Sequence, residues 1–457
     1  MRLSHKIIPL AVVCLSGQVS LADPAPRGNG YKGIWFELGQ RSAHGDKYSG
    51  GLGTYTSSHT PMAVYAPAAK KTFFTYGGTT TKEARHLLIM VSYFDHATGL
   101  VPRPVIVHDK AGVNDPHDNA SLQIGPDGRV WIYISGRAKS RPGFKYRSTE
   151  PYSIDSFERL SEEEMTYPQP WFVEGKGWLH LFTKYTRGRE LYWETSADGV
   201  TWSGDRKLAG IGGHYQVSGR HGRVIATFFN RHPGGNVDRR TDLYYAQTAD
   251  FGSTWTSIDG TVLSLPLNQP DNPARVVDYA TPKLNMYACD LNFDRHGRPL
   301  LLHVTSQGHQ PGPANDPRAL RLTHWDGKAW NTKTISGTDH NYDMGSVWTG
   351  GSSWKVIAPA SPGPQPWGGG GEMGLWTSTD EGATWSAPRA VTRNSSRNHN
   401  YARRPQAAQD PFFAFWADGN PDEFSESHLY FCDSTGSRVW RLPYDMEGAA
   451  AAPVLVK

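Results

Sequence analysis

The sequence has few cysteines and no long apolar run, and both absences narrow the class of protein. Its 457 residues include only 3 cysteines. One of these, Cys14, lies in a short apolar N-terminal stretch, so the remaining two cannot build a disulfide framework. Beyond residue 22 no run approaches the roughly 20 apolar residues that a membrane-spanning helix needs. We therefore expect no membrane span and a fold stabilised by tertiary packing.

A strong net charge of either sign is also missing. The chain has 47 Lys and Arg against 43 Asp and Glu, which argues against a nucleic-acid partner held by non-specific charge. Aromatic residues, in contrast, make up 12% of the chain, and there are 49 glycines and 32 prolines. This composition is typical of many short strands joined by tight turns, so we predict an all-β protein and exclude a helical bundle or a disordered chain.

The N-terminus has the pattern of an export signal. Arg2 and Lys6 flank the apolar stretch 7–15, and Ser20 and Ala22 supply small residues at a cleavage point. The sequence predicts a Sec-type signal peptide over 1–22 and a secreted or periplasmic protein. A buried N-terminal strand is the alternative.

A turn pattern recurs along the chain. Ser or Thr precedes Asp, a Gly follows, and Thr-Trp completes the pattern at Asp198, Asp250 and Asp380, with a weaker copy at Asp326. The Asp carboxylate is expected to accept backbone N–H bonds, while Gly takes the positive-φ position. The pattern resembles the Asp box of sialidase-like propellers, and it predicts a fold rather than a chemistry.

A second series places a His or Tyr where an apolar strand begins, about every 50 to 70 residues, which is the size of a four-stranded repeat. Its members are His59, His117, Tyr167, His214 with Tyr215, Tyr287, His340 with Tyr342, and His399 with Tyr401. We predict one seven-bladed β-propeller over 23–446, with four antiparallel strands per blade. The stretch 30–36 is expected to complete the last sheet as the strand that closes the ring, and 447–457 is expected to be a disordered tail.

The innermost strands of a propeller bring distant residues to one mouth of the central channel. Four residues are candidates for catalysis there: His96, His117, Tyr215 and Arg231. Two His, a Tyr and an Arg suit β-elimination beside a uronic acid, because Arg neutralises the carboxylate and so acidifies the C5 proton. A His or Tyr then removes that proton, and a Tyr or His protonates the leaving oxygen. This chemistry requires no cofactor.

Several segments resemble the BNR-type propeller proteins, a group that contains seven-bladed lyases acting on ulvan and on rhamnose–glucuronate linkages, and rhamnosidases. They are Tyr31-Lys-Gly-Ile-Trp, Lys47-Tyr-Ser-Gly-Gly-Leu-Gly-Thr-Tyr55, Asp95-His-Ala-Thr-Gly, Asp115-Pro-His-Asp-Asn and His340-Asn-Tyr-Asp-Met344. The resemblance implies that two His, a Tyr and an Arg act in catalysis, and by motif and spacing these fall on His96, His117, Tyr215 and Arg231. Tyr167, Arg187 and Arg189 form a competing set.

The sequence also bears on the metal content, the binding partner and the alternative functions of the protein. The resemblance also implies a structural zinc in some members, but His232, Cys289 and His303 match no zinc spacing, so a zinc or calcium ion stays unassigned. We expect an anionic polysaccharide as partner and a monomer, because a closed propeller leaves no sheet edge to pair. An exo-glycosidase of rhamnosidase or sialidase type and a non-catalytic sugar-binding propeller remain alternatives. The expected substrate-binding residues are His59, Tyr167, Arg187, Arg189, His214, Tyr287, His340, Tyr342, His399, Tyr401 and Arg403.

Overall fold

The computed structural model describes residues 23–457, and the predicted signal peptide lies outside them. The regular secondary structure of the described chain is nearly all strand, which confirms the all-β prediction. Its helical content is three short 3-10 turns: Pro116–Asp118, Pro233–Gly235 and Pro313–Asn315. None of the helices between residues 23 and 457 has the length and apolarity needed to cross a membrane.

Five consecutive four-stranded antiparallel sheets form most of the chain, and in each sheet every strand pairs with the next in sequence. Sheet 1 has the strands Ala63–Ala66, Lys71–Gly78, Leu88–Asp95 and Val105–Asp109. Sheet 2 has Ala120–Ile124, Val130–Ile134, Gly143–Ser148 and Phe157–Glu163. Sheet 3 has Thr166–Val173, Gly177–Tyr185, Arg189–Ser196 and Arg206–Ala209. Sheet 4 has Gln216–His221, Val224–Arg231, Thr241–Thr248 and Arg275–Val277. Sheet 5 has Asn285–Phe293, Pro299–Ser306, Arg318–Trp325 and Trp330–Thr338.

The last part of the chain forms one nine-stranded sheet, whose two halves we call sheets 6 and 7. Sheet 6 has Ser346–Gly350, Ser353–Pro362, Gly371–Ser378 and Arg389–Ala390. Sheet 7 has Asn398–Arg403, Ala414–Gly419, Leu429–Cys432, Val439–Arg441 and the added strand Val454–Leu455. The halves are joined by the single pair Gly371 and His399. Because pairing continues across this junction, it does not separate seven blades, and the seven-blade count stays a prediction.

Neighbouring sheets pack face to face through apolar side chains, and sheet 7 packs on sheet 1. The rings of Phe74 and Phe415 lie 5.8 Å apart, and those of Phe94 and Phe431 lie 5.3 Å apart. All four side chains are buried. The end of the chain therefore returns to its beginning, and the first strands of the sheets surround a common centre.

The two terminal segments differ from their predictions. The stretch 30–36 does not add a strand to the last sheet. Trp35–Glu37 pairs instead with Ser49–Gly51, and the stretch reaches sheet 1 through one antiparallel bridge between Gly33 and Gly78. Its bonds run from Ile34 N to Gly77 O (3.0 Å) and from Thr79 N to Lys32 O (3.1 Å). The tail is ordered, since Ala450–Ala451 pairs with Val101–Pro102 and Val454–Leu455 pairs with Val439–Arg441. Open strand edges supply backbone partners that an Ala-rich composition does not reveal.

The recurring Asp turns join the third and fourth strands of their sheets. Asp198 Oδ1 accepts N–H bonds from Val200 (2.8 Å) and Thr201 (2.7 Å), and Gly199 has φ +78°. These backbone donors, that of Thr201 first, lower the pKa of Asp198 to about 2. Equivalent carboxylate–backbone bonds occur at three other turns, those of Asp250, Asp326 and Asp380. The structure has the turn chemistry that the pattern predicts.

Candidate functional site

Tyrosines from distant parts of the chain meet where the first strands of the sheets begin. The ring of Tyr48 lies 5.1 Å from that of Tyr342, and Tyr55 lies 5.1 Å from Tyr401 and 4.9 Å from His117. Both Tyr48 and Tyr55 come from the segment that precedes sheet 1. We call this group the central site. Its members are Lys47, Tyr48, Tyr55, Asp115, His117, Tyr167, Arg189, Tyr215, Arg240, Tyr287, Tyr342 and Tyr401.

The imidazole of His117 is held between two phenols and a carboxylate. Its Nε2 lies 2.6 Å from the hydroxyl of Tyr55 and 2.8 Å from that of Tyr48, and its Nδ1 contacts Asp115. Burial raises the pKa of both tyrosines, so their hydroxyls stay protonated. Nδ1 therefore donates to the carboxylate of Asp115, and Nε2 faces the two phenols.

Asp115 fixes His117 because its own position is fixed by two arginines. It precedes the turn Pro116–Asp118 and accepts the backbone N–H of His117 (3.1 Å). Its second oxygen accepts bonds from Arg137 (3.1 Å) and Arg141 (2.8 Å). Burial alone would raise the pKa of Asp115, but His117 and Arg141 keep it well below its usual range. The carboxylate is ionised and orients the imidazole.

Tyr215 lies directly before the first strand of sheet 4 and is surrounded by positive charge. The guanidinium carbons of Arg240 and Arg189 lie 4.5 and 5.5 Å from its ring centre. Burial would raise the pKa of Tyr215, but the charges of Arg189, Arg240 and Lys47 outweigh it and lower the pKa below the usual value. Every other tyrosine with a resolved pKa shift in residues 23–457 is shifted upward, Tyr167 and Tyr185 among them.

Arg240 is buried at the centre of an aromatic cage. Its guanidinium lies over Tyr215, Tyr287 and Tyr342, and its Nη2 donates to the hydroxyl of Tyr342 (2.7 Å). It precedes the strand Thr241–Thr248 and has no ion pair among the described residues. Arg189 is half-buried at the start of Arg189–Ser196 and donates to the hydroxyl of Tyr185 (3.2 Å). Both arginines thus keep charge that a ligand carboxylate can neutralise.

Tyr167 and Tyr401 share an uncommon backbone conformation. Both have φ of +55°, a region that large side chains rarely adopt, so the backbone is strained at both positions. Both hydroxyls are buried and have no hydrogen-bond partner within residues 23–457. The ring of Tyr167 lies 5.7 Å from that of Tyr215 and 6.2 Å from that of His117. Tyr167 therefore lies between the imidazole of His117 and Tyr215, the tyrosine that is surrounded by cations.

The structure brings together only two of the four residues predicted to be catalytic. His117 and Tyr215 belong to the central site, but Arg231 does not. The side chain of Arg231 forms an ion pair with the buried Asp242 (2.7 Å), which also accepts the backbone N–H of Tyr279 and Ala280. The predicted cation is supplied instead by Arg240 and Arg189. Arg231 was predicted from its spacing of 16 residues from Tyr215, and it is the last residue of the second strand of sheet 4. Arg240 lies in the next loop, directly before the third strand.

His96 lies at the other end of sheet 1. Its Nε2 contacts the hydroxyl of Thr72 (2.8 Å), and its Nδ1 contacts the carbonyl of Asp410 (3.1 Å). Thr72 is five residues along the strand from Gly77, which borders Asn119 close to His117. Five strand residues span about 17 Å. His96 is therefore separated from the central site, contrary to the prediction.

Several residues predicted to bind substrate instead support the backbone. His59, His214 and His340 are buried, and burial lowers their pKa values to about 3, 4 and 3. They bond to main-chain groups: His59 Nε2 to His117 O, His214 Nδ1 to Asn230 O, and His340 Nδ1 to Tyr342 N. These neutral imidazoles hold the backbone segments that carry residues of the central site.

The remaining predicted residues divide in the same way. Arg403 is buried and donates to the carbonyls of Thr56 (2.7 Å) and His59, so it braces the segment that carries Tyr55. His399 bonds to Trp416 and Ser395 away from the site, and Arg187 is exposed on a turn. The remaining five lie in the central site: Tyr167, Arg189, Tyr287, Tyr342 and Tyr401. Tyr48, Tyr55 and Arg240 were not predicted from the sequence. The prediction used repeated residues at the start of the first strand of each sheet, and these three residues lie outside those positions.

The residues considered for a metal do not form a ligand set. His303 bonds to the hydroxyl of Tyr279 (2.9 Å), Cys289 is buried, and His232 packs 5.2 Å from the ring of Tyr215. Between residues 23 and 457, no three His, Cys, Asp or Glu side chains are grouped to hold a metal. A structural ion stays unassigned.

Fold and site together define a propeller-like β protein with an aromatic, cationic centre. Residues 71–338 match the model of the BNR repeat-containing family, and the chain belongs to this family. No curated protein sequence matches significantly.

Among solved structures, an ulvan lyase of polysaccharide lyase family PL25 bound to -[GlcA(1-4)Rha3S]- is similar over 90% of this chain and 96% of its own (16% identity, TM-score 0.70). A second ulvan lyase structure of family PL25 is similar over 86% of this chain and 96% of its own (16% identity, TM-score 0.68). An α-L-arabinanase from Penicillium chrysogenum complexed with arabinobiose matches over 67% of this chain and 91% of its own (12% identity, TM-score 0.41). At 16% identity, the similarity to the two ulvan lyase structures is one of fold.

Proposed function

We propose that the protein is a polysaccharide lyase that cleaves beside a uronic acid by β-elimination in the central site. The observation that carries this proposal is the position of Tyr215, whose ring centre lies 4.5 and 5.5 Å from the guanidinium carbons of Arg240 and Arg189. The charges of Arg189, Arg240 and Lys47 lower the pKa of Tyr215. A phenol held among cations is a base whose pKa is brought toward the working pH. The same cations suit the carboxylate of a uronic acid.

The roles follow from charge and protonation. Arg189 and Arg240 neutralise the substrate carboxylate, which makes the C5 proton more acidic. The phenolate of Tyr215 takes that proton, the C4–C5 double bond forms, and the C4–O bond breaks. Tyr167 gives a proton to the leaving oxygen, because burial keeps its phenol protonated and its hydroxyl has no hydrogen-bond partner between residues 23 and 457. His117, fixed by Asp115, orients Tyr48 and Tyr55 around the sugar.

The carboxylates near the site argue against a glycosidase that uses an acid and a base pair of carboxyls. Asp115 is ionised and bound by Arg137 and Arg141. Asp339 and Asp343 do have raised pKa values, through burial and, at Asp343, the charge of Asp339. Their oxygens accept the backbone N–H groups of residues 367 (3.0 Å) and 370 (2.7 Å). Those contacts give them a role in holding a loop.

The test is incubation with ulvan while ultraviolet absorbance of unsaturated uronate is recorded. A rising signal is the expected result and identifies a lyase that acts on this class of polymer. New reducing ends without the signal would identify a hydrolase and overturn the proposal. Binding without cleavage would identify a sugar-binding propeller. The family resemblance to lyases acting on ulvan supports this choice of polymer.

A further inference from the structure

The end of the molecule opposite the central site has a second polar cleft. Arg220 and Asn292 follow Tyr215 and Tyr287 by five residues along the first strands of sheets 4 and 5, and Trp348 lies on the first strand of sheet 6. At about 3.3 Å per strand residue, Arg220 and Asn292 lie about 17 Å from Tyr215 and Tyr287. The two groups therefore occupy opposite ends of the same strands.

The cleft is large enough for sugar rings. A cavity of about 570 Å³ is bordered by Asn292, Trp348, Ser353, Lys355, Arg404 and Phe413. A second cavity of about 40 Å³ shares Asn292 and Arg404 with it and extends to Arg220. We call the two together the distal cleft. Its volume falls within the usual range of sites that bind small molecules.

Two cations at opposite ends of the distal cleft have no anionic partner. Arg220 is half-buried, and the one hydrogen bond of its side chain within the described part of the chain is to Gly222 O (2.8 Å), while its Nε is buried and has no partner there. Lys355 donates to the carbonyl of Ser434 (2.6 Å) and forms no ion pair within residues 23–457. Arg404, in contrast, is neutralised by Asp290 through bonds of 3.0 and 3.1 Å. The cleft therefore has excess positive charge that is partly shielded from water.

An aromatic pair forms the wall between these cations. The rings of Trp348 and Phe413 are stacked with centres 4.9 Å apart and an interplanar angle of 21°. Phe413 is half-buried, and the ammonium of Lys355 lies over its ring, 5.4 Å from the ring centre. The indole N–H of Trp348 is buried and has no hydrogen-bond partner within residues 23–457. An aromatic pair with a cation over one of its rings suits the apolar C–H groups and the acidic group of a sugar.

We propose that the distal cleft is a second carbohydrate-binding site, distinct from the central site, that takes an acidic saccharide. The carboxylate or sulfate of the sugar meets Arg220 or Lys355, and its ring packs on Phe413. The inference rests on the proposed function only for the polymer used in the test. A site of this kind holds a long chain against the protein while another part of that chain occupies the central site.

The test measures ulvan binding by affinity electrophoresis. The parent protein carries Tyr215→Phe, which removes the proposed base so that ulvan is not cleaved during the measurement. Arg220→Gln and Lys355→Gln, each added to this background, are expected to weaken retention by ulvan about tenfold, because each removes one charge-assisted contact. Arg223→Gln is the matched control, since Arg223 is exposed in the hairpin turn that follows Arg220. Dextran, a neutral polymer, should not retain any variant.

The outcomes separate this inference from the lyase proposal. Retention that is unchanged in folded Arg220→Gln and Lys355→Gln variants overturns the distal site, as does equal weakening by Arg223→Gln or no retention of the parent protein. Thermal unfolding identifies any variant that fails to fold, and Lys355→Gln, at the far end of the cleft, then decides alone. If the wild type forms no unsaturated product but these variants lose retention, the lyase proposal fails and the distal site stands.

Discussion

The imidazole Nε2 of His117 lies 2.6 Å from the hydroxyl of Tyr55, although 62 positions separate the two residues. Asp115 contacts the other imidazole nitrogen. One imidazole thus connects a carboxylate bound by two arginines to a pair of buried phenols. The contact joins the segment before sheet 1 to the start of sheet 2, and it organises one side of the central site.

Removal of the Asp115 charge should impair catalysis through the orientation of His117. Asp115→Asn keeps the shape but weakens the acceptor for Nδ1–H and the partner of Arg137 and Arg141. We expect kcat on ulvan to fall about a hundredfold, with a smaller change in KM. Asp127→Asn, at an exposed turn of sheet 2, serves as the control. An unchanged kcat would show that His117 needs no orienting carboxylate.

Tyr215→Phe should remove the proposed base while retaining the ring that packs on Arg240. The rate of unsaturated product formation is expected to fall by about a thousandfold, within the usual range for a lost general base. Near-ultraviolet circular dichroism should remain close to wild type. Tyr65→Phe, next to His96, should leave the rate unchanged. Activity within a few-fold of wild type for Tyr215→Phe would assign the base to another group.

The cations around Tyr215 predict a pH effect with a definite sign. A phenolate base makes kcat/KM rise with pH until Tyr215 is deprotonated, and Arg189 lowers the pH at which this happens. Arg189→Gln should therefore shift the rising limb to higher pH, because the loss of a cation raises the pKa of Tyr215. Arg189→Lys retains the charge and should shift it less. A limb that does not move in Arg189→Gln would contradict the assignment.

The two histidines predicted from sequence should differ in their effect. His117→Ala is expected to lower kcat by about two orders of magnitude or more. His96→Ala should stay within about twofold of wild type in kcat/KM, because His96 bonds to Thr72 and Asp410 at the other end of sheet 1. Its substitution should cost about 1 kcal/mol of unfolding free energy through lost packing on Tyr65 and Phe94. Equal loss of activity in the two variants would contradict this placement.

Arg231 should matter for stability rather than for catalysis. Arg231→Ala leaves the carboxylate of Asp242 buried without its cation, which we expect to destabilise the fold by about 3 kcal/mol. Urea unfolding measures this loss, and Arg223→Ala is the exposed control. KM for ulvan should be unchanged at temperatures where the variant is folded. A raised KM with unaltered stability would show that Arg231 binds the substrate, contrary to this prediction.

The sequence by itself was enough for the all-β class, the Asp turns and the family, because these depend on local patterns. Asp198 and Gly199 form their turn from neighbouring backbone groups, and the strand starts at His117 and Tyr215 follow the repeat length. In the structure the rings of His117 and Tyr215 lie near that of Tyr167, at 6.2 and 5.7 Å, because the first strands of neighbouring sheets begin side by side.

The identity of the cation and of the partners of His117 was decided only by the tertiary structure. Arg231 and Arg240 both lie at ends of strands in sheet 4. No local sequence pattern distinguishes the arginine that pairs with the buried Asp242 from the one in the central site that has no ion pair among the described residues. Tyr48 and Tyr55 arrive from a segment outside the repeat. Because hydrogen bonds and ion pairs between distant segments depend on how the sheets pack, these choices are made only when the chain closes on itself.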